Sequence, residues 1–152
     1  MTIIYRIFSV IINAVALMLS ISLLGSIPML ISSPQTMLSG FLMLAVILYS
    51  WFSFKFRREV LQQQKVVKHN LRDWVRVNGI VTLVFSIISI IGILPLLINP
   101  QPFIDAVKNF GVVMPVKTAL GFFYVMLIYA VILLAHILWT FALLKKNKDF
   151  FQ

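Results

Sequence analysis

Cysteine is absent from this chain of 152 residues, and acidic residues nearly so: Glu59, Asp73, Asp105 and Asp149 are the complete set. The first absence excludes disulfides and thiolate metal sites. The second leaves few carboxylates for general acid–base work or for hard metal ions. None of the four lies within a long apolar run, whereas ion-coupled transport generally relies on ionisable groups placed there. A Gly-rich phosphate loop, a His-Glu metal motif and a nucleophile elbow are also missing. No cofactor, no metal site and no enzymatic activity are expected on these grounds. No Asn-x-Ser/Thr acceptor occurs either.

What fills the chain instead is hydrocarbon. Hydrophobic residues make up 61% of it, concentrated in runs over 7–31, 37–54, 77–98 and 118–144. Each approaches or exceeds the roughly 18 to 20 apolar residues that cross a hydrocarbon core of about 30 Å. The expected fold is all-α, an integral membrane four-helix bundle forming a single four-span domain over 1–152. The first run follows Arg6 as a signal peptide would, but it is longer than a typical h-region and lacks a small-x-small cleavage site, so it reads as a retained span.

Thirteen Lys and Arg give a formal net charge of +9. They flank apolar runs instead of forming a face on a soluble fold, so anionic lipid is the expected partner and nucleic acid is not. Seven lie between the second and third runs (Lys55, Arg57, Arg58, Lys65, Lys68, Arg72 and Arg76), and Lys145, Lys146 and Lys148 follow the fourth. The positive-inside rule then puts both termini and the central loop in the cytoplasm, with 32–36 and 99–117 outside, in a plasma or bacterial inner membrane. Trp51, Trp74 and Trp139 all fall at the inner interface under this assignment, where an indole can bury its ring and keep its N–H wet.

The two halves of the chain share a pattern. Gly25 and Pro28, followed by Pro34-Gln35, match Gly92 and Pro95, followed by Pro100-Gln101; Gly40-Phe41 finds Gly121-Phe122; Trp51 and Trp139 each precede a basic pair. Tandem helical hairpins related by a pseudo-twofold axis along the membrane normal would produce this. So would the shared needs of any two membrane hairpins. Pro28 and Pro95 lack an N–H and crowd the preceding turn, so a kink or helix end is expected at each.

Polar residues inside the runs fall in register. Arg6, Asn13 and Ser20 are seven apart, with Ser9 and Ala16 on the same face; Ser39, Ser50 and Ser53 share a side of the second run; Asn78, Thr82, Ser86 and Ser89 share a side of the third. Thr118, Tyr129, His136 and Thr140 form a stripe on the fourth. The stripe set Asn13, Ser20, Thr82, Ser86, Tyr129, His136 and Thr140 is expected to converge on one interior, as interhelical hydrogen bonding or as the wall of a hydrated path. His136 reads as a neutral, hydrogen-bonded residue within the bundle.

The segment 55–76 contains neither Gly nor Pro, and Val60, Val67, Leu71 and Trp74 recur at helical spacing. It reads as a basic amphipathic helix on the inner headgroups, or as extensions of two spans meeting at a turn. Lys65, Lys68, Arg72 and Arg76 are its candidate headgroup ligands, and His69 and Asp73 are spaced to pair. Outside, 102–110 reads as a short interfacial helix begun by Pro102 and ended by Gly111, with Asp105 and Lys108 one turn apart.

The function expected from these features is that of a small structural, accessory or regulatory membrane protein, acting through helix–helix and anionic-lipid contacts with a second copy or another membrane protein. A minimal oligomeric transporter or channel for a small solute or proton is the alternative. A lipid-acting enzyme using His69 and Asp73 ranks third.

Overall fold

The computed structural model describes residues 3–30, 34–109 and 111–152. The Pro28 ring, Ile31, residues 32 and 33, the Gln35 side chain and Phe110 lie outside the described residues. Among the described residues the regular structure is helical apart from one isolated bridge, with α1 over Ile3–Leu30, α2 over Pro34–Phe56, α3 over His69–Ile98, α4 over Gln101–Lys108 and α5 over Val116–Lys146. Four of these, α4 being the exception, are long and apolar enough to cross a membrane.

The four long helices are apolar on nearly every side, and such a helix must bury its surface in protein or lipid. Here much of it faces outward: Leu17, Met18 and Ile21 of α1 are 69%, 70% and 74% exposed. The helices run alternately up and down. Neighbours in sequence pack extensively, α1 on α2, α2 on α3 and α3 on α5, while α1 and α5 close the ring along the sparsest seam of the four. One pole of the bundle holds both chain ends and the α2–α3 connection; we call it the termini pole. The distal pole holds the α3–α5 connection, where α4 touches both α3 and α5.

A close approach fixes the termini-side packing of α3. A methyl group on Gly79 would sit 2.7 Å from the Phe141 ring of α5 and 3.4 Å from the Tyr49 ring of α2. Glycine there leaves room for the Phe141 ring, which a larger residue would have to push aside. The main core runs from there along Ile12, Val46, Tyr49, Val75, Leu133 and Ile137.

Each long helix extends beyond its apolar run at the termini pole, because Arg, Lys, Glu and Gln are good helix formers once a helix is nucleated. α3 therefore begins at His69, eight residues before Val77. The segment 55–76 is not one surface helix. Residues Arg57–Gln62 continue α2 as a π-helix, Gln64 adopts a left-handed φ of 52°, and α3 starts after an extended Lys68. The two extensions meet at a turn.

Sequence reasoning missed what holds that turn. The Val67 N–H donates to Phe150 O at 2.8 Å, the Gln152 N–H to Val67 O at 3.1 Å and the His69 N–H to Gln152 O at 2.9 Å. The chain end thus forms an isolated parallel bridge with Val67, and the Phe151 ring stacks on Phe56 at 6.0 Å. An extended, unpaired backbone at Val67 needs such partners, and the tail supplies them.

Neither proline ends its helix. α1 continues through Pro28 to Leu30, and α3 runs three residues past Pro95 before the Asn99 N–H closes on Pro95 O at 2.9 Å. The last turn of α3 carries on because only the single donor of Pro95 is lost. The short distal helix spans Gln101–Lys108, and Gly111 follows with a φ of 78°. Asp105 takes a hydrogen bond from Gln101 Nε2 at 3.0 Å, one turn toward the helix start.

Candidate functional site: a polar layer between three helices

Near the termini pole, α1, α2 and α5 bring their polar side chains to one level. Tyr5 lies in the first turns of α1, Tyr49 in the second half of α2, and His136 and Thr140 one turn apart on α5; all four are fully buried. Buried aromatic hydroxyls seek partners. Tyr5 Oη and Tyr49 Oη lie 3.0 and 3.1 Å from Thr140 Oγ1, and Tyr49 Oη is also 2.9 Å from His136 Nδ1. The Tyr5 ring stacks on the His136 imidazole at 4.7 Å with an 11° tilt, and Tyr49 meets that imidazole edge-on at 5.9 Å.

The protons in this layer can be assigned by counting. Thr140 has a single hydroxyl proton, and it goes to His136 O at 2.8 Å. Thr140 Oγ1 must then accept from both tyrosines, so each tyrosine spends its only proton there. Tyr49 Oη is left as an acceptor toward His136, which therefore carries its proton on Nδ1. His136 Nε2 is a bare lone pair, buried and without a partner. The layer consists of neutral hydrogen-bonding and aromatic groups locked to one another.

A second cross-link lies beside it. Ser50 Oγ of α2 donates to Asn13 Oδ1 of α1 at 2.7 Å, and Asn13 Nδ2 donates to Ser9 O at 2.7 Å. Below both, Arg57 is 7% exposed, reaches Arg6 O at 3.4 Å and lies 5.0 Å over the Phe54 ring. Its Nε has no partner.

The four stripes do not contribute equally. On α3, Asn78, Thr82 and Ser86 are buried, yet Asn78 donates to Trp74 O and Ser86 to Thr82 O, within their own helix. Short polar side chains readily bond the carbonyl one turn back. Ser20 does the same toward Ala16 O. Thr118 is exposed at the distal end of α5, and Arg6 and Ser39 are exposed as well. Tyr129 is part-buried, with its hydroxyl buried and unpartnered. Of the expected convergent set, only Asn13, His136 and Thr140 link helices through these bonds. Tyr5 and Tyr49 complete the layer. The available signal for them was a hydroxyl set into an apolar run, Tyr49 beside Ser50 and Tyr5 beside Arg6, which aromatic character masks.

The basic residues of the turn divide into two groups. Lys65 and Lys68 join Lys55, Glu59 and Trp74 around an open groove of about 480 Å3, floored by Phe52, whose ring stacks on Trp74 at 5.4 Å. Arg72 instead bonds His69, and His69 Nδ1 lies 2.9 Å from Asp73 Oδ2 in an exposed cluster. Arg76 is exposed and lines no part of the groove. Trp51 and Trp74 are 68% and 51% exposed, and Trp139 is half-buried against Tyr5. Among the described residues no three His, Asp or Glu gather as a metal site.

Comparison with family models, curated proteins and solved structures finds no match to this chain.

Proposed function

We propose that this protein is an integral membrane scaffold, a small structural, accessory or regulatory component that acts through its outer helix faces and its basic termini pole. One observation carries the reading. In the polar layer the hydroxyls of Tyr5, Tyr49 and Thr140 and His136 Nδ1 are spent on one another, leaving His136 Nε2 as its one unpartnered atom, and the next levels of the interior are closed by Ile12, Val46, Leu133 and Ile137, each at most 1% exposed. A hydrated route needs polar groups left over to face water, level after level. The apolar exterior then meets lipid or a partner helix, and the termini pole lies on the cytoplasmic leaflet, since eleven of the thirteen cations belong to it and only Lys108 and Lys117 do not. Pairing of α1 with α2 and of α3 with α5, both hairpins starting at that pole, supports a tandem arrangement in which α4 is an insertion in the second.

The groove of Lys55, Lys65 and Lys68 is the contact for anionic headgroups under this proposal, with Phe52 and Trp74 at its floor and rim. A basic side chain near an anionic surface contributes about 1 kcal/mol. Replacing Lys65 and Lys68 together by Gln is expected to weaken retention of anionic lipid, and the difference from wild type should fade as salt rises. Equal retention at low salt removes the groove from the account.

The transporter alternative draws its support from the bare His136 Nε2. Purified protein in sealed proteoliposomes decides between them. The scaffold reading expects no proton flux above empty vesicles, and a stoichiometric membrane protein partner on mild extraction from native membrane. A flux abolished by His136→Leu in a protein that keeps its helicity would transfer the conclusion to transport.

A further inference from the structure

One cavity in the bundle belongs to neither the polar layer nor the basic groove. It measures about 240 Å3, is partly enclosed, and takes its walls from all four long helices, including Leu19 of α1, Met43 of α2, Phe85 of α3 and Met126, Tyr129 and Ala130 of α5. These residues fall near the middle of their helices, so the cavity sits halfway between the two poles. Its walls are almost wholly hydrocarbon. Apolar cavities of this kind stay dry, and about 150 Å3 is enough to take up benzene. A void of this size forfeits the contacts its lining atoms would otherwise make, so a guest that fills it restores them.

The lining narrows the chemistry of that guest. Among the described residues no charged group borders the cavity, so the guest is uncharged. Two thioethers and two aromatic rings in the wall favour a ring over a saturated chain through sulfur–aromatic and ring–ring contacts. Tyr129 alone among the lining residues has a buried hydroxyl without a partner, a donor that needs an acceptor oxygen. Tyr129 lines the cavity while its hydroxyl is buried, so a guest reaches that hydroxyl through a shift of the wall, for which the unbranched Met43 and Met126 in the same lining are suited. Access is laterally available. α1 and α5 share the sparsest seam of the bundle, and both border the cavity.

We propose that this mid-bundle cavity is a binding site for a compact, uncharged, ring-containing lipophile with a carbonyl oxygen, held by the Tyr129 hydroxyl. Benzophenone is a suitable probe, being an aromatic ketone that cross-links on irradiation, and diphenylmethane is its counterpart without the carbonyl. The full chain in detergent micelles is titrated with benzophenone, irradiated and mapped by mass spectrometry. Saturable labelling at Met43, Met126, Tyr129, Ala130 or Leu133 is expected, and diphenylmethane should compete for it. Tyr129→Phe should weaken benzophenone about tenfold and leave diphenylmethane unchanged. Two variants that fill the space, Ala130→Phe and Ser89→Leu, should each abolish saturable labelling. Circular dichroism and thermal unfolding identify whichever of them keeps the fold. Labelling that rises linearly and falls on outward residues such as Val131 and Leu138, equally in a folded filling variant, overturns the site. Retention of a bilayer phospholipid by the wild type but not by a folded filling variant, without saturable benzophenone labelling, overturns it in favour of an acyl chain. Saturable labelling unaffected by Tyr129→Phe overturns the role of the carbonyl.

Discussion

The two ends of this bundle are held together by different physics. At the termini pole, hydrogen bonds cross between α1, α2 and α5, a glycine lets α3 meet α2 and α5, and the chain end clasps the α2–α3 turn. Toward the distal pole, α3, α4 and α5 meet through a small cluster of Ile93, Ala119 and Phe123 with the rings of Phe103 and Phe122, and a cavity opens between that end and the polar layer. Hydrogen bonds are directional and prescribe which residues meet, whereas apolar side chains against apolar surroundings prescribe little beyond shape. The termini half should therefore be the rigid reference of the molecule and the distal half its adaptable part.

The largest expected effect comes from removing the residue that serves two partners. Tyr49→Ala takes away a buried ring and both hydrogen bonds, and should cost about 3 to 5 kcal/mol in a reversible unfolding measurement. Tyr49→Phe keeps the ring, leaves His136 Nδ1–H without its acceptor, and should cost about 1 to 2 kcal/mol. If Tyr49→Phe is as stable as the wild type while Tyr49→Ala is not, packing and not hydrogen bonding holds this end, and the contrast between the ends collapses.

Next in size is Gly79→Ala. The added methyl meets the Phe141 ring at 2.7 Å and must push it or α5 aside. Overpacking of this kind costs about 1 to 3 kcal/mol. A neutral outcome, measured the same way, would mean that Phe141 turns away freely and that the α3–α5 seam is looser than its geometry indicates.

Much of this fold was legible in the sequence, and the failures have physical causes. Four apolar runs become four long helices because nothing in them favours a turn, and His136 sits buried and hydrogen-bonded in the bundle. At the termini pole the helices run past the apolar runs, with Arg58 and Arg72 within helix, which matches the reading of 55–76 as extensions of two spans meeting at a turn and not the reading as one surface helix. Spacing put Asn78, Thr82 and Ser86 on an inward face correctly, but periodicity cannot say whether a hydroxyl bonds a neighbouring helix or its own backbone. Tyr5 and Tyr49 were hidden inside hydrophobic runs. The pairing of Val67 with Phe151 joins distant parts of the chain through backbone groups, which carry no residue-type signal.

A smaller effect, and a local one, is expected from cutting the chain after Asn147. Loss of the Phe151 stack and of the three backbone bonds around Val67 should raise hydrogen exchange across 63–70 while leaving exchange at Tyr49 and Thr140 unchanged. Faster exchange throughout α2 would make the tail a global support and not a clasp.

The smallest change belongs to the distal half. Phe103→Ala removes the edge contact with Phe123 at 5.0 Å and the stack on Phe122 at 6.2 Å, yet Phe103 is only part-buried. We expect about 1 kcal/mol or less, consistent with a ring pair worth about 0.5 to 1.5 kcal/mol. A cost rivalling that of Tyr49→Phe would erase the difference between the two ends.

The central claim is that the polar layer is closed on itself. Nitrogen NMR of the single imidazole at His136, in a His69→Gln background and in lipid bilayers, reads that directly. The account predicts one neutral tautomer with the proton on Nδ1, a hydrogen bond from it to the Tyr49 hydroxyl, and no exchange with water on the timescale of the measurement. A proton on Nε2, or a mixture of tautomers exchanging with water, would contradict it.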